Sequence, residues 1–548
     1  MRTTRWLTAG VLCAAVGLTA CGGSGNDGDG GDAAAAVEQI GAGGTAKSCT
    51  GTPVRGGTLL YSRLSETQSL DPITLRNGNG DIFATELIYQ GLVRSDPTGK
   101  TQDLVGGVAE KWDVSEDGKT YTFTLRDGIK FANGDPVTAE DVKFTLDRFG
   151  DPKVNQVMSV VAGGYGSSKV VDDRTVQVKL TEPVASFLYN ISIFPAFIVP
   201  KKAVQQDEKA FFKKPYGTGP YMVKEYVRGS HITLERNPNY WEEGKPYLDE
   251  VRFNFAADSN SRMLAVKNGQ AQIADGVPFS QITALSGDTK LALQKAQVPL
   301  FVGMWLNHTR KELADENVRQ AMQHALNREQ INEGIFRGVG TIPNSILPAL
   351  KYDAPADQVP PYAYDVTKAK ELMAASKYPD GFETTLQYPA GYDYYKQLGL
   401  LIQQQFGAIG IKVKLVEQES AEVTDRFNKS DYDLTFPYAQ FTSDVVVPDE
   451  YATFVANSPD IDNFFTHWKS GEIGEMVAKF TTTPDEAERA KLWPEIQKAM
   501  LDETPVINVM NVPYVNVHGA DVCGTSINAL RADHLEDTWI ASPTAGKP

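Results

Sequence analysis

The serine, lysine and glycine patterns that support covalent catalysis or phosphate binding are missing from this sequence. No serine has a glycine both two residues before and two residues after it, as a nucleophile elbow requires, and no serine lies three residues before a lysine. Gly99-Lys100-Thr101 and Gly118-Lys119-Thr120 resemble the end of a phosphate-binding loop, but neither has a glycine five residues earlier. We interpret both as turns and predict that the protein is not an enzyme.

Potential metal ligands are scattered along the chain. No histidine has another histidine three to five residues away, so the common histidine metal motifs are missing from the sequence. Asp113, Ser115 and Asp117 imitate the start of a calcium-binding loop, but its twelfth position is Thr124 instead of a bidentate acid. We predict neither a metal nor a cofactor, with a metal site assembled from distant segments as the alternative. The six histidines are His231, His308, His324, His467, His518 and His534.

The first twenty residues have the composition of a secretory signal. Arg2 and Arg5 precede an apolar stretch that is too short to cross a bilayer. The stretch ends in Leu18-Thr19-Ala20-Cys21, which resembles the lipobox where the cysteine becomes acylated; ordinary cleavage beside a chance cysteine is the alternative. We predict a signal peptide over residues 1–20, lipid attachment at Cys21, and a flexible tether rich in Gly, Ala and Asp over residues 21–49.

Charge and composition exclude several classes of protein. The 548 residues include 53 Lys and Arg against 69 Asp and Glu, and 41% of them are hydrophobic, which is typical of a folded globular chain. Without residues 1–20 the chain has 51 positive and 69 negative side chains, a net charge of −18. Such a surface argues against nucleic-acid binding and against close contact with an anionic membrane. We expect the lipid anchor alone to hold the body on the extracytoplasmic face of the cell membrane.

Two cysteines remain outside the signal region. Cys13 lies within the signal and Cys21 is the predicted lipid site, which leaves Cys49 and Cys523. Export would place this pair in an oxidising compartment, which favours a disulfide between them, with two buried free thiols as the alternative. Such a bridge predicts that both ends of the body belong to one domain, with the middle of the chain inserted between them.

Hydrophobic periodicity predicts alternating strands and helices from about Thr58 onward. The segment 114–125 has an Asp-Gly turn followed by strict apolar–polar alternation, which is typical of a β-hairpin. Thr138, with Asp141 three residues later, predicts a helix start. Helix and strand patterns alternate beyond residue 215, which favours mixed α/β layers. A second hairpin is predicted at 170–180, helices at 83–89, 262–267, 318–335, 367–375 and 398–406, and strands at 56–64, 384–388, 411–416 and 432–436.

Six sequence motifs occur in order along the body of the chain. They are VAEKW at 108–112, DGKTYTFTLR at 117–126, FANGDPVTAEDV at 131–142, GTGPY at 217–221, RNPNYW at 236–241 and VRQAM at 318–322. With these motifs the chain resembles the extracytoplasmic solute-binding proteins of ABC importers, in the oligopeptide- and dipeptide-binding group called family 5. The resemblance covers the chain from about Gly56 to about Val515.

The resemblance implies two α/β lobes joined by crossing segments, the type II periplasmic-binding-protein fold, with an extra domain inserted in the first lobe. In this family the lobes enclose a solute, and the closed form docks on a permease. By this resemblance lobe I comprises residues 50–90, 208–297 and 517–548, the inserted domain comprises 91–207, and lobe II comprises 298–516. A first lobe built from both chain ends agrees with the predicted disulfide.

The resemblance also implies a ligand-binding acid in lobe II. Peptide-binding relatives have an Asp shortly after an aromatic residue and before a proline, and Phe441, Asp444 and Pro448 match this pattern. A carboxylate beside Val445–Val447, desolvated on closure, would gain much from the α-ammonium of a ligand. We predict Asp444 as the ligand anchor and Phe441 as a flat wall of the cleft. The alternatives are a cap for the helix at 450–454 and a core ring.

Three further aromatic residues are candidates for the cleft. Dipeptide-binding relatives place an Arg for the ligand carboxylate near the start of the helix before Ile411, and this chain has none there. Tyr392 and Tyr394 occupy that stretch and are predicted to line the cleft, with exposed tyrosines at a helix start as the alternative. Trp305, on a presumed crossing strand, faces the ligand or packs against the sheet. The missing Arg argues against a dipeptide clamp and leaves longer peptides compatible.

These residues and the resemblance predict a lipid-anchored monomer that captures an oligopeptide and delivers it unaltered to the transmembrane subunits of an ABC permease. Binding to both lobes at once would stabilise the closed form. An oligosaccharide, an opine or a metal chelate is the alternative cargo within the class. The alternative from another class is a secreted enzyme or regulatory lipoprotein that uses the same fold without transport. We expect no nucleic-acid partner.

Overall fold

Two large β-sheets organise the fold. The structure, a computed structural model, describes residues 52–541 apart from short gaps at 76–77, 99–100, 157, 297, 349–350, 438–440, 443, 459–460 and 529–530. The predicted signal peptide, the lipid site Cys21, the tether and Cys49 lie outside the described residues. In the part of the chain that is described, no helix is both long and apolar enough to cross a bilayer.

Strands and helices alternate along the described chain. The strands are β1 Thr58–Arg63, β2 Val93–Ser95, β3 Leu104–Gly106, β4 Ala109–Val114, β5 Thr120–Leu125, β6 Tyr165–Asp172, β7 Thr175–Leu180, β8 Tyr221–Val227, β9 His231–Arg236, β10 Glu250–Phe255, β11 Ile273–Ala274, β12 Leu291–Ala296, β13 Leu300–Leu306, β14 Phe382–Pro389, β15 Ile411–Gln418, β16 Leu434–Thr435, β17 Phe441–Thr442, β18 Val506–Asn511, β19 Tyr514–Gly519, β20 Val522–Cys523, β21 Ser526–Ile527, β22 Asp533–His534 and β23 Trp539–Ile540. The α-helices are α1 Gly78–Ile88, α2 Ala139–Gly150, α3 Phe187–Asn190, α4 Lys201–Gln206, α5 Glu208–Phe211, α6 Ser259–Lys267, α7 Ile282–Ser286, α8 Glu316–Ala325, α9 Arg328–Gly334, α10 Val366–Ala375, α11 Asp393–Gly407, α12 Ser420–Asn428, α13 Asp449–Ala456, α14 Gly471–Thr482 and α15 Glu486–Glu503. Short 3-10 helices span Pro72–Thr74, Ser159–Ala162, Phe194–Ala196 and Phe279–Gln281.

The first sheet belongs to lobe I and has seven strands in the order β12-β19-β11-β1-β10-β9-β8. At its centre β1 runs parallel to β10 and β11, while β9 and β19 are antiparallel to their neighbours. Leu59 and Tyr61, alternate residues of β1, are fully buried, which confirms that this strand presents an apolar face to the core.

The second sheet belongs to lobe II and has the order β15-β14-β16-β13-β17, with β18 also paired to β13. The strand β14 runs parallel to β15 and to β16. Parallel neighbours need a crossover connection, and α11 provides it between β14 and β15. Leu398, Ile402 and Phe406 of α11 are buried in the lobe II core, which confirms the predicted helix–strand unit.

The inserted domain is built on a four-stranded antiparallel sheet in the order β4-β5-β7-β6, which contains both predicted hairpins. The predicted start of α2 is also confirmed. Thr138 Oγ1 accepts a hydrogen bond from the Asp141 N–H at 3.4 Å, and Asp141 Oδ2 accepts one from the Thr138 N–H at 2.9 Å. This reciprocal capping box satisfies two backbone donors that a helix start would otherwise leave unbonded.

Two connections cross between the lobes. One leads from the end of β12 in the first sheet to the start of β13 in the second, and the other leads from β18 through residues 512–513 back into β19. The predicted end of lobe II at residue 516 therefore falls inside β19, which pairs with β11 and β12. The domain limits stay predictions.

The prediction of one helix over 318–335 is wrong. The segment forms α8 and α9 because Leu326 between them has an extended backbone, with φ −81° and ψ 111°. The Asn327 side chain accepts a hydrogen bond from the Gln330 N–H at 2.9 Å and caps α9. An asparagine side chain competes with helical backbone bonding in this way, and apolar spacing alone does not reveal it.

Candidate functional site

The carboxyl ends of the parallel strands form one edge of each sheet. In lobe I this edge holds Arg63, at the end of β1, and Asp275, directly after β11. In lobe II it holds Pro389, at the end of β14, followed by the start of α11. Open α/β sheets bind ligands at such edges, because the connections diverge there and leave a crevice. The candidate site is therefore the region between these two edges.

Asp275 is the central anion of the lobe I edge. Its carboxylate lies 3.4 Å from the Arg63 guanidinium and 3.3 Å from that of Arg262, and all three side chains are buried. The Leu64 N–H donates to Asp275 Oδ1 at 2.9 Å. Arg262 also donates to the Ala256 carbonyl at 2.8 Å. Paired and hydrogen-bonded in this way, the buried charges hold the ends of three strands together.

Tyr514 and Arg531 continue this edge toward lobe II. Tyr514 begins β19 directly after a crossing segment, and its hydroxyl lies 3.5 Å from Asp275 Oδ2. The Arg531 guanidinium lies 5.2 Å from the centroid of the Tyr514 ring, a cation–π arrangement. Burial lowers the pKa of Arg531, while Tyr514 and Asp444 act in the opposite direction. Arg531 is thus a cation of lobe I that acts on the predicted anchor of lobe II.

Asp444 is a half-buried carboxylate in the loop before α13. Burial raises its pKa to about 6, and the positive charge of Arg531 opposes the rise. Its backbone N–H donates to a Glu450 carboxylate oxygen at 3.0 Å. The helix α13 begins at Asp449 without a side-chain cap, so the helix-cap alternative for Asp444 is wrong. The Asp444 carboxyl group therefore does not cap the helix that follows it.

The loop that carries Asp444 is followed by residues that pack against lobe I and the inserted domain. Val445, Val446 and Val447 are almost fully buried and belong to the same apolar cluster as Leu87 of lobe I and Phe187 of the inserted domain. These three valines therefore join lobe II to the core of the rest of the protein. Asp444, directly before them, lies where the two sides meet.

A buried ion pair fixes the far end of this loop. Asp449, at the start of α13, contacts the guanidinium of Arg489 in α15, and both side chains are buried. The guanidinium lies 4.9 Å from the ring centroid of Tyr352 and 4.3 Å from that of Phe480. Burial raises the pKa of Asp449 to about 6, and Arg489 opposes this rise. The pair holds α13 against α15 and so limits where Asp444 can lie.

Tyr394 lies at an aromatic contact between the lobes. Its ring centroid is 6.2 Å from that of Phe279, which follows β11 in lobe I, and 6.1 Å from that of Phe336 in lobe II. Burial raises the pKa of Tyr394 well above its usual range. Tyr392 precedes α11, is 40% exposed and gives the helix no side-chain cap. Both tyrosines therefore lie at the lobe II edge, and their contact with a ligand stays a prediction.

Trp305 lies in the core of lobe II and is 1% exposed. Its ring centroid is 5.9 Å from those of Phe301 and Phe464. This position favours the packing alternative over a ligand-facing one. The backbone of Phe441 pairs with that of Phe301 between β17 and β13, whereas the Phe441 side chain lies outside the described structure.

Sequence reasoning did not find Asp275, Tyr514 or Arg531 as members of this region. Asp275 directly follows β11, but this two-residue strand was not predicted, so no sequence signal marked Asp275. Arg531 reaches the region from near the C-terminal end of the body, and no local pattern links it to Asp444. Cys523, in the same C-terminal part, is disulfide-bonded. Its partner lies outside the described residues, so the pairing with Cys49 stays a prediction.

Two α/β lobes, two crossing segments and a charged region between facing sheet edges define a two-lobed solute-binding protein. The family model for bacterial extracellular solute-binding proteins, family 5 (middle), matches residues 103–463. The chain belongs to this family.

Named relatives cover nearly the whole body. The chain is 29% identical over 469 residues to the glutathione-binding protein GsiB of Salmonella typhi. The aligned region covers 84% of this chain and 90% of GsiB. The structure of this chain resembles that of the periplasmic binding protein DppA from Helicobacter pylori in complex with the peptide STSA, with a TM-score of 0.76, 25% identity and coverage of 89% and 99%. It also resembles AgaA of A. tumefaciens R10 in complex with agropinic acid, with a TM-score of 0.73, 26% identity and coverage of 88% and 99%.

Proposed function

We propose that this protein is a lipid-anchored receptor that captures an oligopeptide between its lobes and delivers it to an ABC permease. The observation that carries the proposal is the position of Asp444, a half-buried carboxylate of lobe II at the junction with the core of lobe I and the inserted domain. The names of GsiB and DppA, which bind glutathione and a peptide, support a peptide-like cargo.

The proposed mechanism is a shift between open and closed forms. Desolvation makes the ionised form of Asp444 costly, as its raised pKa reflects, and the α-ammonium of a ligand would offset that cost. A ligand that touches both lobes binds the closed form more tightly than the open one and therefore increases its population. The permease would then receive the closed form, and the solute would leave unaltered.

The proposed location rests on the sequence before residue 50. The basic and apolar leader, the motif ending in Cys21 and the Gly-rich tether would place the acidic body outside the cytoplasm on a lipid anchor. A Cys21→Ala substitution should abolish incorporation of a labelled fatty acid, because it removes the thiol that would be acylated. Continued labelling of the Cys21→Ala protein would contradict the proposed attachment site.

The cargo can be identified by mass spectrometry of the material released when purified protein is denatured. Peptides are expected, and the recovered peptide then serves as the ligand in calorimetry. Asp444→Asn should weaken its binding about tenfold or more, because a charge-assisted contact is lost. Asp425→Asn, an exposed acid on α12, is the matched control and should bind as the wild type does. Equal affinity in all three proteins would reject Asp444 as the anchor.

An amino-acid conjugate such as an opine is the second candidate cargo. The observation that favours it is the electrostatic effect of Arg531 on Asp444, since the two charges could receive a carboxylate and an ammonium of one small ligand. The complex of AgaA with agropinic acid supports this alternative. Release of a zwitterionic small molecule instead of peptides, with its affinity lowered in Arg531→Gln, would favour the conjugate over the oligopeptide.

A further inference from the structure

Lys351 of lobe II reaches across to the inserted domain. Its Nζ donates a hydrogen bond of 2.6 Å to the hydroxyl of Tyr189 in α3, whose ring is almost fully buried. The same Nζ lies 3.3 Å from Asp103, also in the inserted domain, and 3.2 Å from Glu486 in lobe II. The Lys351 side chain is 16% exposed, so its charge is largely removed from water and depends on these partners.

The backbone of Lys351 also holds the loop that carries Asp444. The Lys351 N–H donates to the Val446 carbonyl at 3.1 Å, two residues after Asp444. The next residue, Tyr352, has a left-handed backbone with φ 75°, and its ring packs on the Arg489 guanidinium. One short segment therefore fixes the Asp444 loop on one side and contacts the inserted domain on the other.

A second contact lies at the same junction. The Ala185 N–H of the inserted domain donates to the Thr481 carbonyl of α14 at 2.9 Å. Movement of lobe II away from the inserted domain would break this bond and separate Lys351 from Tyr189 and Asp103. Lys351 would keep only Glu486 among these partners, and its charge would have to be rehydrated.

We propose that Lys351 is a positioning residue that latches lobe II to the inserted domain behind Asp444, and so sets how long the closed form holds its ligand. The role in ligand retention rests on the proposed function, whereas the role in closure does not. Burial lowers the pKa of Lys351, but its hydrogen bond to Tyr189 and the charges of Tyr189, Tyr352 and Glu486 together raise the pKa by more, so the latch stays charged at neutral pH.

Small-angle scattering of the protein freed of cargo tests the latch without any ligand. Lys351→Met should increase the radius of gyration, because the closed form loses the Lys351 contacts that stabilise it relative to the open form. Tyr189→Phe, which removes the partner hydroxyl from the other side, should change it in the same direction. Lys351→Arg should restore the wild-type value, since it keeps the cation. The matched control is Lys368→Met on α10, where the lysine is exposed and lies 4.0 Å from Glu371.

Dissociation kinetics test the consequence for retention, with the tetrapeptide Ser-Thr-Ser-Ala as the probe. Lys351→Met should release the tetrapeptide about tenfold faster with little change in the association rate, whereas Lys368→Met should behave as the wild type. An unchanged radius of gyration in both Lys351→Met and Tyr189→Phe would overturn the latch. If wild-type protein does not bind the tetrapeptide, the peptide assignment is called into question, and the scattering result still decides the latch.

Discussion

Asp444 and Asp449 are two carboxylates five residues apart whose environments give them different tasks. Burial raises the pKa of each to about 6. Asp449 contacts Arg489 directly and is enclosed with it, so its charge is compensated within lobe II. Asp444 is acted on by a cation of the opposite lobe and lies at the junction between the two sides. Asp449 therefore stabilises lobe II, whereas Asp444 is suited to a ligand that arrives between the lobes.

Ligand affinity should weaken as the pH falls from 7 to 5. The raised pKa means that Asp444 becomes protonated in the empty protein below about pH 6, and a neutral carboxyl group attracts an ammonium less. Each pH unit below 6 should raise the dissociation constant by at most about tenfold. Calorimetry across this range, with Asp444→Asn as the control, measures the effect. The same slope in both proteins would assign the pH dependence to another group.

Replacing Arg489 by Met should destabilise lobe II strongly. The substitution leaves the Asp449 carboxylate buried without its cation, which costs about 3–5 kcal/mol. Denaturant unfolding followed by circular dichroism measures this loss. The double variant Asp449→Asn with Arg489→Met removes the uncompensated charge and should recover part of the stability. A single variant as stable as the wild type would mean that the pair contributes nothing.

At the scale of elements, the sequence predicted the turns and helix starts that depend only on neighbouring residues. The Asp-Gly turn specifies the β4–β5 hairpin, and Thr138 with Asp141 specifies the start of α2, because both signals act within six residues. The break at Leu326 was missed, since the apolar spacing continues through it. The electrostatic interaction of Arg531 with Asp444 and the hydrogen bond of Lys351 to Tyr189 join residues far apart in sequence, and such interactions leave no local pattern. The helices and strands were thus more predictable than the site.

The cap of α2 gives a test at this scale. Thr138→Ala should lower the free energy of unfolding by about 1 kcal/mol, because the Asp141 N–H loses its acceptor and Asp141 Oδ2 loses the hydrogen bond from the threonine hydroxyl. Thr138→Ser keeps the hydroxyl and should restore most of the loss. Denaturant unfolding compares the three proteins. A loss of equal size in both variants would assign the effect to the threonine methyl group.

At the scale of the whole molecule, apolar packing between the lobes contributes to closure in addition to the binding site. Val445–Val447 of lobe II are buried in an apolar cluster whose other buried members come from lobe I and the inserted domain. Burial of these side chains favours the closed form even before a ligand arrives. Peptide or conjugate binding then has to add only part of the free energy of closure.

Val446→Ala should therefore shift the empty protein toward the open form. Val446 is 2% exposed, and removal of its methyl groups costs the closed form about 1–2 kcal/mol of apolar burial. The expected results are a larger radius of gyration and an approximately tenfold weaker affinity for the recovered cargo. Val413→Ala, in the core of lobe II alone, is the control and should lower unfolding stability without changing the radius of gyration.

The two crossing segments also determine the order in which the lobes can be completed. Lobe II is one continuous stretch of chain from β13 to β18, so all of its strands are available once β18 has been synthesised. The lobe I sheet lacks β19 until still later, and β11 and β12 meanwhile expose the edges that β19 will cover. The lobe that begins first along the chain is thus completed last, and its uncovered strand edges remain open to wrong pairing until β19 is in place.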